Sequence, residues 1–146
     1  MALILILFAL IAGMALPTQF SINAQLRHVV GSPVVASTIS FIVGALALLI
    51  ISISGKGLQA KKEWLHAPWW VWTGGLLGAF YVVATVILIP RIGATATVAY
   101  ILGGQMIASV LIDHYGLLGV HTHQLSLPRL AGVGLVALGV IIIQKF

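Results

Sequence analysis

Gln19 and Asn23 stand four residues apart, so a helix would carry both amides on one face. Amides within an apolar segment are costly unless they meet water or a partner. Two readings fit the pair: contacts to a solute or ion, or hydrogen-bonded glue between helices. Pro17 favours the first, because a proline kinks its helix and frees a carbonyl, here that of Gly13. A second polar stripe, Thr97, Gln105, Ser109 and Asp113, recurs at multiples of four, with Gly103 and Gly104 thinning the backbone beside Gln105. It reads as a polar wall facing the same cavity, or again as interhelical bonding. Gln105, in the middle of its apolar run, is the stronger candidate. Asp113 and His114 close that run and are the candidates for carrying a proton. Tyr81 and Tyr100 could face the cavity or simply pack.

Other chemistry is excluded or weak. The chain has no cysteine, which removes thiol catalysis, disulfides and cysteine-ligated metals. His114, His121 and His123 have a spacing that could suggest zinc, but with no cysteine and one nearby acid they read as part of a solvated loop. No nucleophile–base constellation, phosphate loop or HExxH is present, so neither an enzyme nor a cofactor is expected.

The elements that must position these residues follow from composition. Of 146 residues 61% are hydrophobic and 6% charged, far below the roughly 25% charged of soluble domains. Mean hydropathy is +1.19. The chain is therefore an integral membrane protein with lipid as its first partner. Its charges, Arg27, Lys56, Lys61, Lys62, Glu63, Arg91, Asp113, Arg129 and Lys145, punctuate long apolar runs. Between them lie five all-α transmembrane helices, over residues 2–26, 34–54, 69–89, 94–112 and 125–144, in a single domain 1–146. The runs lack the period-two alternation of barrel strands. Trp69, Trp70 and Trp72 read as an interfacial anchor, and the 56–66 loop as a headgroup-level segment. Ile89 to Gly93 reads as a tight turn. Gly74 and Gly78 form a small-xxx-small pair, and Gly132 and Gly139 suggest packing against protein. The fifth span is short, so Arg129 is expected to snorkel towards the headgroups. The net charge of +5 is spread over helix ends, where it meets lipid rather than nucleic acid.

Charge also bears on orientation. With five spans, Lys56, Lys61, Lys62 and Arg129 fall on one side, and Arg27, Arg91 and Lys145 on the other. Four against three is hardly a bias, so the chain has little preference between its two orientations.

Several motifs together resemble one family. They are Gly13 with Gln19, Asn23 and Leu26; Gly31-Ser32-Pro33; Gly74-Gly75 with Gly78; Pro90 with Gly93-Ala94; Gly104-Gln105; Asp113-His114-Tyr115-Gly116; and Arg129 with Gly132. The ensemble resembles the YdcZ-like family of small five-span membrane proteins, in the drug/metabolite transporter superfamily, over essentially the whole chain. The resemblance implies half of a ten-helix inverted-repeat architecture in a bacterial cytoplasmic (inner) membrane. It also implies pairing as an antiparallel dual-topology homodimer or with a paralogue. The implied function is secondary transport of a small solute; a passive channel or a non-transporting accessory protein is the alternative. Four-helix exporters of that superfamily carry a membrane-embedded glutamate, and this chain has none, which points to a neutral polar or anionic cargo.

The charge count makes a testable statement. A single cysteine engineered beside Lys145 should be labelled by impermeant maleimide from both faces of the membrane. Added lysines in the 56–62 loop should drive the population to one orientation. Uniform orientation of the unmodified chain would refute dual topology.

Overall fold

The computed structural model describes residues 2–55 and 66–145. The loop expected at headgroup level, with Lys56, Lys61, Lys62 and Glu63, lies outside the described residues. Five long helices carry the described chain: α1 (Ala2–Val30), α2 (Pro33–Ser54), α3 (Gly74–Ile92), α4 (Ala94–Tyr115) and α5 (Leu127–Lys145). With the Trp69–Trp72 turn counted into α3, each is long and apolar enough to cross a membrane. The helices are apolar on most of their faces, the pattern of segments whose solvent is lipid. None of the α5 span is buried within the chain. The chain divides into two compact units, Met1–Arg91 and Ile92–Phe146, each described on its own.

In the first unit α1 and α2 form a hairpin. α1 runs on to Val30 rather than ending at residue 26, which places Arg27 inside its last turn. Gly31, at φ +74°, ends the helix and donates its N–H to the Arg27 carbonyl at 2.8 Å. Ser32 caps α2 by accepting the Val35 N–H at 3.4 Å, and Pro33 opens the helix where no N–H is required. α1 continues through Pro17. Around the proline, the Thr18 hydroxyl donates to the Met14 carbonyl and the Ser21 hydroxyl to the Pro17 carbonyl.

α3 packs on this hairpin through a small core. Ala36, Val82 and Val86 are buried together, with Leu26, Val30 and Tyr81 against them. Phe20 sets its ring edge-on to Tyr81, with centroids 5.3 Å apart. Phe41 of α2 lies 3.4 Å from where a Cβ on Gly78 would stand, so this glycine permits the close approach. Contacts from Phe20 to Tyr81 and from Arg27 to Val86 advance in the same direction along both helices, so α1 and α3 run parallel.

Pro90 departs from expectation. It lies inside α3, which continues to Ile92; Gly93, at φ +83°, makes the break. A proline at 90 cannot donate to the carbonyl four residues back, that of Val86. Arg27 supplies the missing donor: its Nη1 lies 3.2 Å from the Val86 oxygen. A buried carbonyl is thus satisfied from the neighbouring helix, and a proline is accommodated in the last turn.

In the second unit α4 packs on α5. α4 extends past residue 112 to Tyr115, where Gly116 at φ +60° caps it, so Asp113 and His114 belong to its last turn. α5 begins at Leu127, later than expected, with Pro128 and Arg129 in its first turn.

The Arg27–Val86 bond predicts a thermodynamic coupling. Arg27→Met should destabilise the protein in detergent by about 1.5–3 kcal/mol, the range for a hydrogen bond to a charged group. Pro90→Ala restores an N–H to Val86. In that background the same Arg27 change should cost much less by tryptophan-monitored thermal unfolding. Strictly additive losses would show that the bond does not carry the coupling.

Candidate functional site

The first unit contains an open groove of about 580 Å³ between α1 and α2. Its walls are mostly apolar, with Met14 and Val43 among them; polarity comes from Thr18, Gln19, Asn23 and Ser40. The expected pair Gln19 and Asn23 therefore lines one groove, on the C-terminal side of Pro17. Their environments differ. Gln19 is exposed, whereas Asn23 is 3% exposed. The Asn23 Nδ2 group has no hydrogen-bond partner among the described residues. An unsatisfied buried donor costs about 1–3 kcal/mol and so marks a position awaiting an acceptor.

Several helix hydroxyls are already spent as donors. Ser37 donates to Pro33 O at 2.8 Å, Thr38 to Val34 O at 2.9 Å and Thr85 to Val82 O at 2.8 Å. Thr18 and Ser21 are committed in the same way. Such back-bonding leaves their oxygens able to accept but spends the proton on the helix itself.

The second unit holds the other predicted residues. Thr97 is buried and donates its hydroxyl to Gly93 O at 2.7 Å. Gln105 and Ser109 are both exposed, and the Ser109 hydroxyl donates to the Gln105 main-chain carbonyl at 2.7 Å. Asp113 and His114 fasten the α4–α5 connector. Asp113 forms an ion pair with Arg129, whose Nη1 also donates to His123 O at 3.0 Å. The Asp113 carbonyl accepts the His123 N–H at 2.8 Å, and His114 Nδ1 accepts the Leu125 N–H at 3.2 Å. Arg129 thus has its carboxylate partner one short connector away. His121 and His123 are exposed, and the described residues hold no group of three side chains placed to share a metal.

Of the four glycines singled out for packing, Gly78 meets Phe41, while Gly74, Gly132 and Gly139 have nothing within 4 Å of an added Cβ among the described residues. Tyr81 joins the core against Phe20, and Tyr100 is exposed. Sequence reasoning missed Arg27, treating it as a headgroup charge. The available signal was its spacing, four residues beyond Asn23 and eight beyond Gln19.

Residues 4–142 match the family described as "Putative inner membrane exporter, YdcZ". The chain belongs to this family. It is also 25% identical over 130 residues to the inner membrane protein YdcZ of Escherichia coli (strain K12), covering 88% of this chain and 87% of that protein. No solved structure matches. With its five membrane-length helices, this YdcZ-family chain is a multi-pass inner-membrane protein.

The connector contacts predict a shared fate for their partners. Asp113→Ala and Arg129→Met should each loosen residues 116–126 to proteolysis and cost about 1 kcal/mol, given that both side chains remain partly exposed. The double variant should be little worse than either single one. Fully additive losses would argue against a common bond.

Proposed function

We propose that the chain is a secondary transporter of a small polar solute, neutral or anionic. It works as an antiparallel dual-topology homodimer in which two single-domain, five-helix chains make a ten-helix inverted-repeat assembly. The observation that carries the transport site is the α1–α2 groove with the orphaned Asn23 amide beside Gln19. Apolar walls with a few convergent polar groups are the usual make-up of a small-solute site, and about 580 Å³ falls within the usual range. Family membership supports export across the membrane. The near-balanced charge count supports pairing of opposite orientations. Inverted repeats meeting near the bilayer midplane provide alternating access.

In this reading Gln105, Ser109 and Thr97 give α4 a polar lining of its own, and Pro17 lets α1 bend around the groove. Gly74, Gly132 and Gly139, open among the described residues, receive the second copy. Asp113 and His114 are the titratable pair available to a proton-coupled cycle, which would have to open the Arg129 ion pair.

Proteoliposomes test this reading. Uptake across a panel of small organic anions and neutral polar solutes should be saturable and far slower than channel flux. Gln19→Leu and Gln105→Leu should each reduce it at least tenfold while the size-exclusion profile and Tm are kept. Full activity in both variants would remove the site assignment; linear, unsaturable flux would replace the transporter with a channel.

A further inference from the structure

Steps of four residues advance about 40° around an α-helix. Gln19, Asn23 and Arg27 therefore trace a slow spiral on α1. It starts on the groove side at Gln19 and ends on the α3 side, where Arg27 reaches Val86. Asn23 lies between them, at the level between the Phe20–Tyr81 and Arg27–Val86 contacts. It is buried, lines the groove, and holds the unpartnered Nδ2 donor.

Arg27 is half-buried, and Val86 O is the one acceptor its guanidinium meets among the described residues. A guanidinium has five N–H donors, so most remain unspent. The described residues of the first unit, 2–55 and 66–91, contain no Asp or Glu. One turn of helix thus presents an amide donor without an acceptor and a cation without a counter-charge. The Thr18, Ser21, Ser37 and Thr85 hydroxyls have spent their protons on their own helices. Both demands are met by hydrogen-bond-accepting oxygen, and that of Arg27 by negative charge as well.

We propose that this site binds an organic oxyanion, with one carboxylate or phosphate oxygen group between Asn23 Nδ2 and the Arg27 guanidinium and an apolar body in the α1–α2 groove. The proposal rests on the groove being the transport site and narrows its cargo from polar to anionic. Arg27 serves two ends: one N–H holds Val86, and the remaining donors face the ligand. A soluble carboxylate and the phosphate of an anionic lipid share this chemistry.

The test uses the purified full chain in a neutral detergent. Benzoate should raise the unfolding temperature saturably, while benzamide, the neutral analogue of similar shape, should not. Arg27→Gln, made in the Pro90→Ala background so that Val86 keeps a donor, should weaken benzoate binding at least tenfold. Asn23→Leu should do the same. Asn23→Asp guards against misfolding: it keeps the side chain's shape, gives Arg27 an internal counter-charge, and should abolish the benzoate effect. Stabilisation by phosphatidylglycerol but not benzoate, lost in the same variants, would support the oxyanion site with lipid as its source. Equal stabilisation by benzamide, wild-type affinity in the variants, or no effect of either anion would overturn it. Uptake separates the two proposals. Saturable transport of neutral solutes without anion binding would leave the transporter standing and remove the anion. Anion binding without any transport would do the reverse.

Discussion

The carbonyl of Val86 sets the terms for the first unit. Pro90 denies it a donor within α3, and a bare carbonyl buried between helices in lipid has no water to turn to. Arg27 meets that demand from α1, which requires α1 and α3 to run side by side in register and α1 to remain helical as far as Val30. The hairpin turn at Gly31 is built on the same residue, since Gly31 donates to the Arg27 carbonyl. Phe20 against Tyr81 and the Ala36–Val82–Val86 core follow from that alignment. The guanidinium is a structural donor before it is anything else.

The second unit solves a related problem differently. Where α4 gives way to the connector, the Arg129–Asp113 pair and the His123 and Leu125 N–H groups close a ring of polar contacts at the end of the α4–α5 hairpin. Arg27 and Arg129 therefore both bind main-chain carbonyls, Val86 and His123. The difference is that Arg129 has a carboxylate beside it and Arg27 has none among the described residues.

The five spans were legible because apolar runs of membrane length are unambiguous, whereas their ends were not. Proline was read as punctuation at residue 90, yet a last-turn proline is tolerated once a donor from another helix replaces its own. That donor is a tertiary fact with no local signature. The same reason hid Arg27: a basic residue near a span end reads as headgroup contact, and spacing alone does not reveal a carbonyl 59 residues away. Gln19 and Asn23 could be read from the sequence because amides stand out against leucine and isoleucine. That one is exposed and the other orphaned could not, since burial depends on how α2 and α3 close over the turn. Asp113 and His114 were visible as titratable groups, but their fastening of the connector depends on where α5 begins.

Most of the chain's large apolar side chains look outward. A fluid acyl chain refills any space a smaller side chain leaves, so an outward Leu exchanged for Val, Ile or Phe creates no lasting cavity and carries little of the penalty familiar from packed interiors. Phe20 and Val86, by contrast, are nearly or wholly enclosed. The information that specifies this fold is therefore concentrated in a short list of positions: a few tight contacts, the turn glycines, and Pro90 with the donor that compensates it. Along the rest of the spans the requirement is for oiliness rather than identity, leaving the sequence wide latitude to drift without disturbing the architecture.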